Sequence, residues 1–283
     1  MNNLMKYLST CLLATAALLG VASPAFATNS SPQSAAVGFA VLGGTNVTCT
    51  AGVIIGDVGV SPGGAVPFTN TGCVISGATP PATDAAAAQA RADFLNTYAA
   101  LRLSAPCTQM LGTTLAGENL APGVYCLDAV AKTGTLTLTG PSNGVWIFLV
   151  DGALTGTNFT VVMADGGQPC NVFWVPSAGV TMTDSALKGN ILAGDPISGS
   201  ITLTGGTLAG QALANVAVTI TGTSVIGCAA MSGEKPHKDH DKCNQGVGNG
   251  PEGCDPGNSN HNHSSNDENG GTPGNPGRKG SNN

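Results

Sequence analysis

Between residues 131 and 228 the chain places fifteen threonines in 98 positions. Most of them alternate with an aliphatic residue. Thr135-Leu136-Thr137-Leu138-Thr139, Val180-Thr181-Met182-Thr183, Ile201-Thr202-Leu203-Thr204 and Val218-Thr219-Ile220-Thr221 each carry the period of two that marks a half-buried strand. Val145–Val150 and Asn171–Val175 are continuous apolar runs, as in strands covered on both faces. Gly, Asn and Asp separate the runs. A strand followed by Thr-Gly or a similar turn recurs at Thr155, Thr183, Thr204 and Thr221, at intervals of 28, 21 and 17 residues. Units of roughly 20 residues are too small to bury a core alone, so they predict a stacked solenoid. A sandwich is the alternative, but Asn-Gly and Asp-Gly are scarce at the strand junctions where hairpins would need them.

One segment breaks the pattern. After Pro80-Pro81, Thr83 is a candidate cap and Asp84 favours a first helical turn. Residues 84–103 then contain no Gly or Pro, and four alanines, Ala85 to Ala88, follow Asp84. Phe94, Leu95, Tyr98 and Leu101 form an apolar stripe, with Gln89, Arg91, Asp93, Asn96 and Arg102 available for the other faces. A helix of that length spans ~30 Å at 1.5 Å per residue, close to six stacked coils at about 4.8 Å. The expected architecture is therefore mainly β: a parallel β-solenoid with one long α-helix packed along its axis.

Charge narrows the functional classes. Charged residues are 9% of the chain and aromatics 4%, against about 25% charged in an ordinary soluble domain. A nucleic-acid binder needs a basic footprint that this chain lacks. The net charge of −6 argues against an acidic membrane surface as a partner. Residues 28–228 hold no histidine, and His237, His240, His261 and His263 all follow. The body therefore offers neither a Ser-His-Asp or Cys-His arrangement nor a His-ligated zinc. Asp57, Asp128, Asp151, Asp165, Asp184 and Asp195 are scattered, mostly beside Gly or Pro, which is turn chemistry and not a glycosidase pair. No enzyme activity, metal or cofactor is expected; His237-Lys238-Asp239-His240-Asp241 reads as a solvated stretch.

The first 27 residues read as a signal peptide: Lys6, an apolar run from Leu12 to Val21, and Ala25-Phe26-Ala27 as the cleavage pattern. Export leaves eight cysteines, Cys49, Cys73, Cys107, Cys126, Cys170, Cys228, Cys243 and Cys254, and an even count in an oxidising compartment suggests disulfides. Pairing in sequence order is the expectation, with buried free thiols as the alternative. The domain organisation expected is 1–27 signal, 28–228 solenoid including helix 84–103, and 229–283 a disordered Gly/Asn/Pro-rich tail.

Several motifs resemble those of the microbial ice-binding proteins of the irregular right-handed β-solenoid type. They are Gly56-Asp57-Val58-Gly59-Val60-Ser61-Pro62-Gly63, the alanine-rich helix from Asp84, Leu120-Ala121-Pro122-Gly123-Val124-Tyr125, Cys170-Asn171-Val172-Phe173-Trp174, and Leu187-Lys188-Gly189-Asn190-Ile191-Leu192-Ala193. They occur in the family's order across roughly residues 38–226. The resemblance implies a triangular right-handed solenoid, one flat face of which binds ice, in a secreted, monomeric antifreeze protein whose partner is the ice surface. The competing class is a cell-surface or matrix solenoid with an adhesive role.

Threonine suits such a face: its methyl is weakly hydrated, its hydroxyl holds water, and its β-branch restricts χ1. The family's face motif is loosely Thr, then Ala or Gly, any residue, then Thr or Asn. Thr155-Gly156-Thr157-Asn158 and Thr204-Gly205-Gly206-Thr207 match it, Thr221-Gly222-Thr223-Ser224 matches in part, and Thr50-Ala51 begins a match. Thr183-Asp184-Ser185-Ala186 departs twice and introduces a charge. The resemblance thus implies an ice-contacting set of Thr50, Thr155, Thr157, Asn158, Thr183, Ser185, Thr204, Thr207, Thr221 and Thr223.

Overall fold

A computed structural model describes residues 38–62, 67–81, 83–103 and 107–231. The expected signal peptide, the tail beyond Met231, its histidines and the pair Cys243 and Cys254 lie outside the described residues.

Every strand pairing among the described residues is parallel. The chain winds as a β-solenoid with three faces. Face I is an eight-stranded sheet, running in space from Asp57–Val60 through Phe39–Gly43, Ala212–Ala214, Asn190–Ala193, Val172–Pro176, Trp146–Asp151 and Gly123–Asp128 to Gln109–Leu111. Faces II and III belong to one larger sheet bent at a corner, which the long strand Leu154–Ala164 crosses without a break.

The corner has a local cause. Its residue in successive rungs is Asn158, Asp184, Gly205, Gly222, Ala51 or Gly72, and each has φ between 48° and 75°. That left-handed conformation costs little for Gly and is most accessible to Asn and Asp among the others. Scattered Gly, Asn and Asp residues in the sequence are thus the bend between two faces.

Face I is buried on both sides, which explains its continuous apolar runs. Trp146, Phe148, Val150, Val172 and Trp174 point into the solenoid. Tyr125, Phe148 and Trp174 stack on neighbouring rungs, with ring centroids 5.5 and 4.2 Å apart. The alternate residues Ile147, Phe173, Val175, Leu192, Leu213, Leu42 and Phe39 point out and meet helix α1, Asp84–Leu103. From the helix, Ala87, Ala90, Phe94 and Leu101 are buried, with Leu95 and Tyr98 half-buried beside them.

Two details of the helix differ from the sequence reading. The Thr83 hydroxyl donates to the Val58 carbonyl at 2.9 Å, pinning the preceding loop to face I instead of capping the helix. Arg91 and Arg102 face the solenoid: Arg91 donates to Asn215 Oδ1, and Arg102 Nη1 to the carbonyls of Val150 and Val175 at 3.0 and 3.3 Å. Both long side chains reach strand-end carbonyls and polar groups from the helix flank.

The three described cysteine pairs join as expected, Cys49–Cys73, Cys107–Cys126 and Cys170–Cys228. Cys49–Cys73 ties together two adjacent rungs, since Cys49 pairs in register with Asn70.

The order of rungs is not the order of the chain. Asn46–Thr50 and Phe68–Thr71 stack beyond Ala217–Thr221, at the opposite end from Lys132–Thr139. The chain builds one end first, and α1 then lies between those rungs and the opposite end, where winding resumes at Gln109.

One core residue is unexpected. Lys132 is fully buried, and its ammonium donates to the carbonyls of Thr113 and Asp128 at 2.9 and 3.3 Å, with Asp128 Oδ1 at 3.5 Å. Desolvation holds its pKa below the ordinary 10.5, with Asp128 opposing. The folded chain therefore releases this proton before the unfolded chain does, so stability rises as pH climbs through the folded value toward 10.5. Against Lys132→Met, wild-type stability should gain as pH rises through that window, with Tyr98 and Tyr125 titrating equally in both proteins. Urea melts at several alkaline pH values measure it; a pH-independent difference would show the lysine keeps its ordinary pKa.

Candidate functional site

Face II carries the alternation read from the sequence, and the register turns it into an array. On the inner side Leu154, Val180, Ile201, Val218 and Val47 are buried in the core. On the outer side Thr155, Thr181, Thr202, Thr219, Thr48 and Thr69 align across six rungs. Two residues further along each strand, Thr157, Thr183, Thr204, Thr221, Thr50 and Thr71 form a second column. All twelve are exposed or half-exposed.

Rungs of a sheet repeat every ~4.7–4.9 Å, and same-face residues on one strand lie about 6.6–6.8 Å apart. The two columns therefore form a rectangular grid of hydroxyl and methyl groups, with χ1 restricted at every point by the β-branch. No outward position of the twelve carries charge. A charged group, Asp184, follows Thr183 directly and is exposed at the corner with φ 48°. Its Oδ1 lies 2.1 Å from the place a Cβ on Gly205 would take, so the carboxylate leans across the corner of the next rung.

The structure sorts the ten residues of the expected set. Thr50, Thr157, Thr183, Thr204 and Thr221 share the column next to the corner, and Thr155 stands in the parallel column. Asn158 is the corner residue itself. Ser185 and Thr223 are buried just past the corner. The Ser185 hydroxyl accepts from the Phe159 N–H at 3.2 Å and donates to the Thr183 carbonyl at 2.9 Å. The Thr223 hydroxyl donates to the Gly205 carbonyl at 2.8 Å. Thr207 is exposed on face III.

The reason is that the tetrapeptide Thr-Gly-Gly-Thr straddles the bend: Thr204 ends face II, and Thr207 begins face III. At Thr155 the same motif sits two residues early, because Gly156 is an inward strand position and Asn158 is the bend. Sequence reading missed Thr48, Thr69, Thr71, Thr181, Thr202 and Thr219. The signal for Thr181, Thr202 and Thr219 was present: where Val180, Met182 and their equivalents face inward, alternation places the threonines outward.

Among the described residues no group of three or more His, Cys, Asp or Glu side chains is placed to hold a metal ion. No described helix is long and apolar enough to cross a membrane.

Comparison with known proteins agrees with this geometry. The family model described as ice-binding-like matches residues 41–226. An ice-binding protein of Nostoc sp. (strain HG1) is 36% identical over 200 residues, 69% of this chain and 72% of that protein. Ice-binding protein K3-B1 of Typhula ishikariensis is 29% identical, over 65% of this chain and 86% of its own. The crystal structure of an ice-binding protein from the Antarctic ascomycete Antarctomyces psychrotrophicus superposes with a TM-score of 0.57 at 30% identity, covering 69% of this chain and 96% of that one. With a helix-backed parallel solenoid, a family match over residues 41–226 and relatives of that similarity, the chain belongs to the ice-binding-like family.

Proposed function

We infer that this is a secreted ice-binding protein that adsorbs to ice through face II and so restrains ice growth or recrystallisation. The observation that carries the reading is the uncharged grid of two six-threonine columns. Each methyl is poorly hydrated and each hydroxyl holds a water, so the face orders its hydration layer on a repeat near that of ice. Binding requires no moving part and no chemistry on the ligand, which fits a body without histidine and with dispersed carboxylates. The three disulfides fit an oxidising, extracytoplasmic compartment.

Ice-affinity partitioning of the folded chain tests the reading. The protein should concentrate in the growing ice, whereas a folded control stays in the liquid. Equal exclusion of both would leave the adhesive-solenoid alternative.

Asp184 gives a graded prediction. Its hydrated carboxylate borders Thr183, the second of the six threonines of the corner column. Asp184→Gly removes the charge and keeps a residue suited to φ 48°. Thermal hysteresis should rise or stay level, with folding stability changed by about 0.5 kcal/mol or less at this exposed site. A fall in hysteresis with an unchanged melt would mean that the carboxylate takes part in binding.

A further inference from the structure

The two ends of the solenoid differ. At one end Lys132 is buried against Asp128, Leu115 and Leu120 are buried, and Glu118 precedes the outermost strand Asn119–Leu120. At the other end Phe68–Thr71 and Val74–Ile75 are the last strands of their sheet among the described residues. No charged residue occurs from Val58 to Thr83. Edge strands are commonly guarded by charge against pairing with another chain, and this one is not.

The core is open at this end. In one inward column Met182, Leu203, Ile220 and Cys49 are buried, whereas Asn70, next in register, is exposed. Val47 and Ile54 are fully buried, but Phe68 and Ile75, which pair with them in the terminal rung, are only half-buried. The carbonyls of Pro67 and Thr71 accept from the Val47 and Ala51 N–H groups at 2.8 and 2.9 Å. Strand alternation therefore turns the N–H and C=O of Phe68 and Asn70 away from the solenoid. The Asn70 side chain is already satisfied: its Oδ1 accepts from the Cys73 N–H at 2.8 Å, and its Nδ2 donates to the Cys73 carbonyl at 3.2 Å. Cys49–Cys73 ties the rung to its neighbour, so the edge is preformed.

We propose that this rung joins two copies of the chain end to end, about a two-fold axis that passes through Asn70 and stands normal to face II. Phe68–Thr71 then runs antiparallel to the same strand of the second copy, and the two Asn70 residues exchange N–H to carbonyl bonds. Thr69 falls opposite the partner's Thr71 at ~4.5 Å, close to the ~4.7–4.9 Å between rungs. The six threonine rungs of each copy thus become one continuous flat grid. A second copy suits this end because one edge satisfies the other, no charge repels it, and the half-buried Phe68 and Ile75 gain cover. The joined ends bury on the order of a few hundred Å² per copy, less than the ~800 Å² of a standard interface. The dimer is therefore weak, and the monomer expected from the family resemblance is its dilute form.

Sedimentation of the chain at rising concentration in the cold should show a reversible monomer–dimer equilibrium. Over the same range hydrogen exchange at the Asn70 amide should slow, because that group becomes bonded. Asn70→Asp keeps an acceptor for the Cys73 N–H and sets two carboxylates against each other on the axis. Its dissociation constant should rise about tenfold or more. A thermal melt establishes folding, and the exchange measurement on wild type decides the matter if the variant does not fold. A wild-type chain that stays monomeric at every concentration overturns the proposal, and means that another segment of the chain covers this end. So does a dimer whose Asn70 amide exchanges as fast as in the monomer, or one that folded Asn70→Asp leaves intact. Association does not depend on the ice-binding reading of face II; only the value of the enlarged grid rests on it. Ice-affinity partitioning beside sedimentation tells the two failures apart.

Discussion

Thr204→Tyr is expected to remove most of the thermal hysteresis of this protein while leaving its fold untouched. Thr204 is exposed on a central rung of the corner column, between Thr183 and Thr221. A phenol ring there stands several ångströms above its neighbours and keeps the surrounding threonines from approaching a flat crystal plane. The loss is much larger than that of one residue's contact, because adsorption requires the whole grid to dock at once. An exposed substitution of this kind changes stability by about 0.5 kcal/mol or less. Hysteresis and a thermal melt measured together check it. Full hysteresis in a folded Thr204→Tyr protein would place the ice contact away from face II, and Thr202→Tyr repeats the test in the other column.

Phe94→Ala is expected to cause the largest loss of stability. Phe94 is fully buried on the inner side of α1, in the apolar layer that contains Phe39, Leu42, Ile147, Phe173, Val175, Leu192 and Leu213. Truncating a buried phenylalanine costs about 3–5 kcal/mol, which lowers the melting temperature by on the order of 10 °C in a domain of this size. The helix is the lid of face I, so loosening it exposes a row of apolar side chains. Denaturant melts should show a reduced midpoint, whereas hysteresis near the freezing point should persist as long as the chain remains folded. A change below about 1 kcal/mol would mean that the layer repacks around the void. The contrast between the two variants separates the surface that meets ice from the layer that holds the solenoid together.

Much of this was readable residue by residue. The alternation of threonine with Val, Ile, Leu and Met at residues 180–183, 201–204 and 218–221 is a local property, and its two sides became the core and the surface of face II. The continuous runs at 145–150 and 171–175 signalled strands covered on both sides, and α1 is what covers them. The helix itself was legible from four alanines and the absence of Gly and Pro. Its contacts were not: Arg91 and Arg102 look like solvent-facing charges until the strand ends beside them supply hydrogen-bond acceptors. Lys132 was equally opaque, because only the fold brings the Thr113 and Asp128 carbonyls around its ammonium.

The sequence by itself determined which residues alternate and which stretch is helical. These follow from side-chain size, backbone freedom and spacing within a few residues. Only the tertiary structure decided which strands lie side by side. Thr48 and Thr50 are neighbours of Thr219 and Thr221, and the Thr45 hydroxyl donates to the carbonyl of Val216, 171 residues away. No local pattern carries that information. A parallel rung leaves unpaired backbone groups on its outer edge, and the rungs at Asn46–Thr50 and Val53–Ile55 cover those left by Ala217–Thr221 and Ser224–Ile226. Tertiary pairing thereby adds Thr48, Thr69 and Thr71 to the array beside Thr50, and shows that Thr207 looks out from a different face.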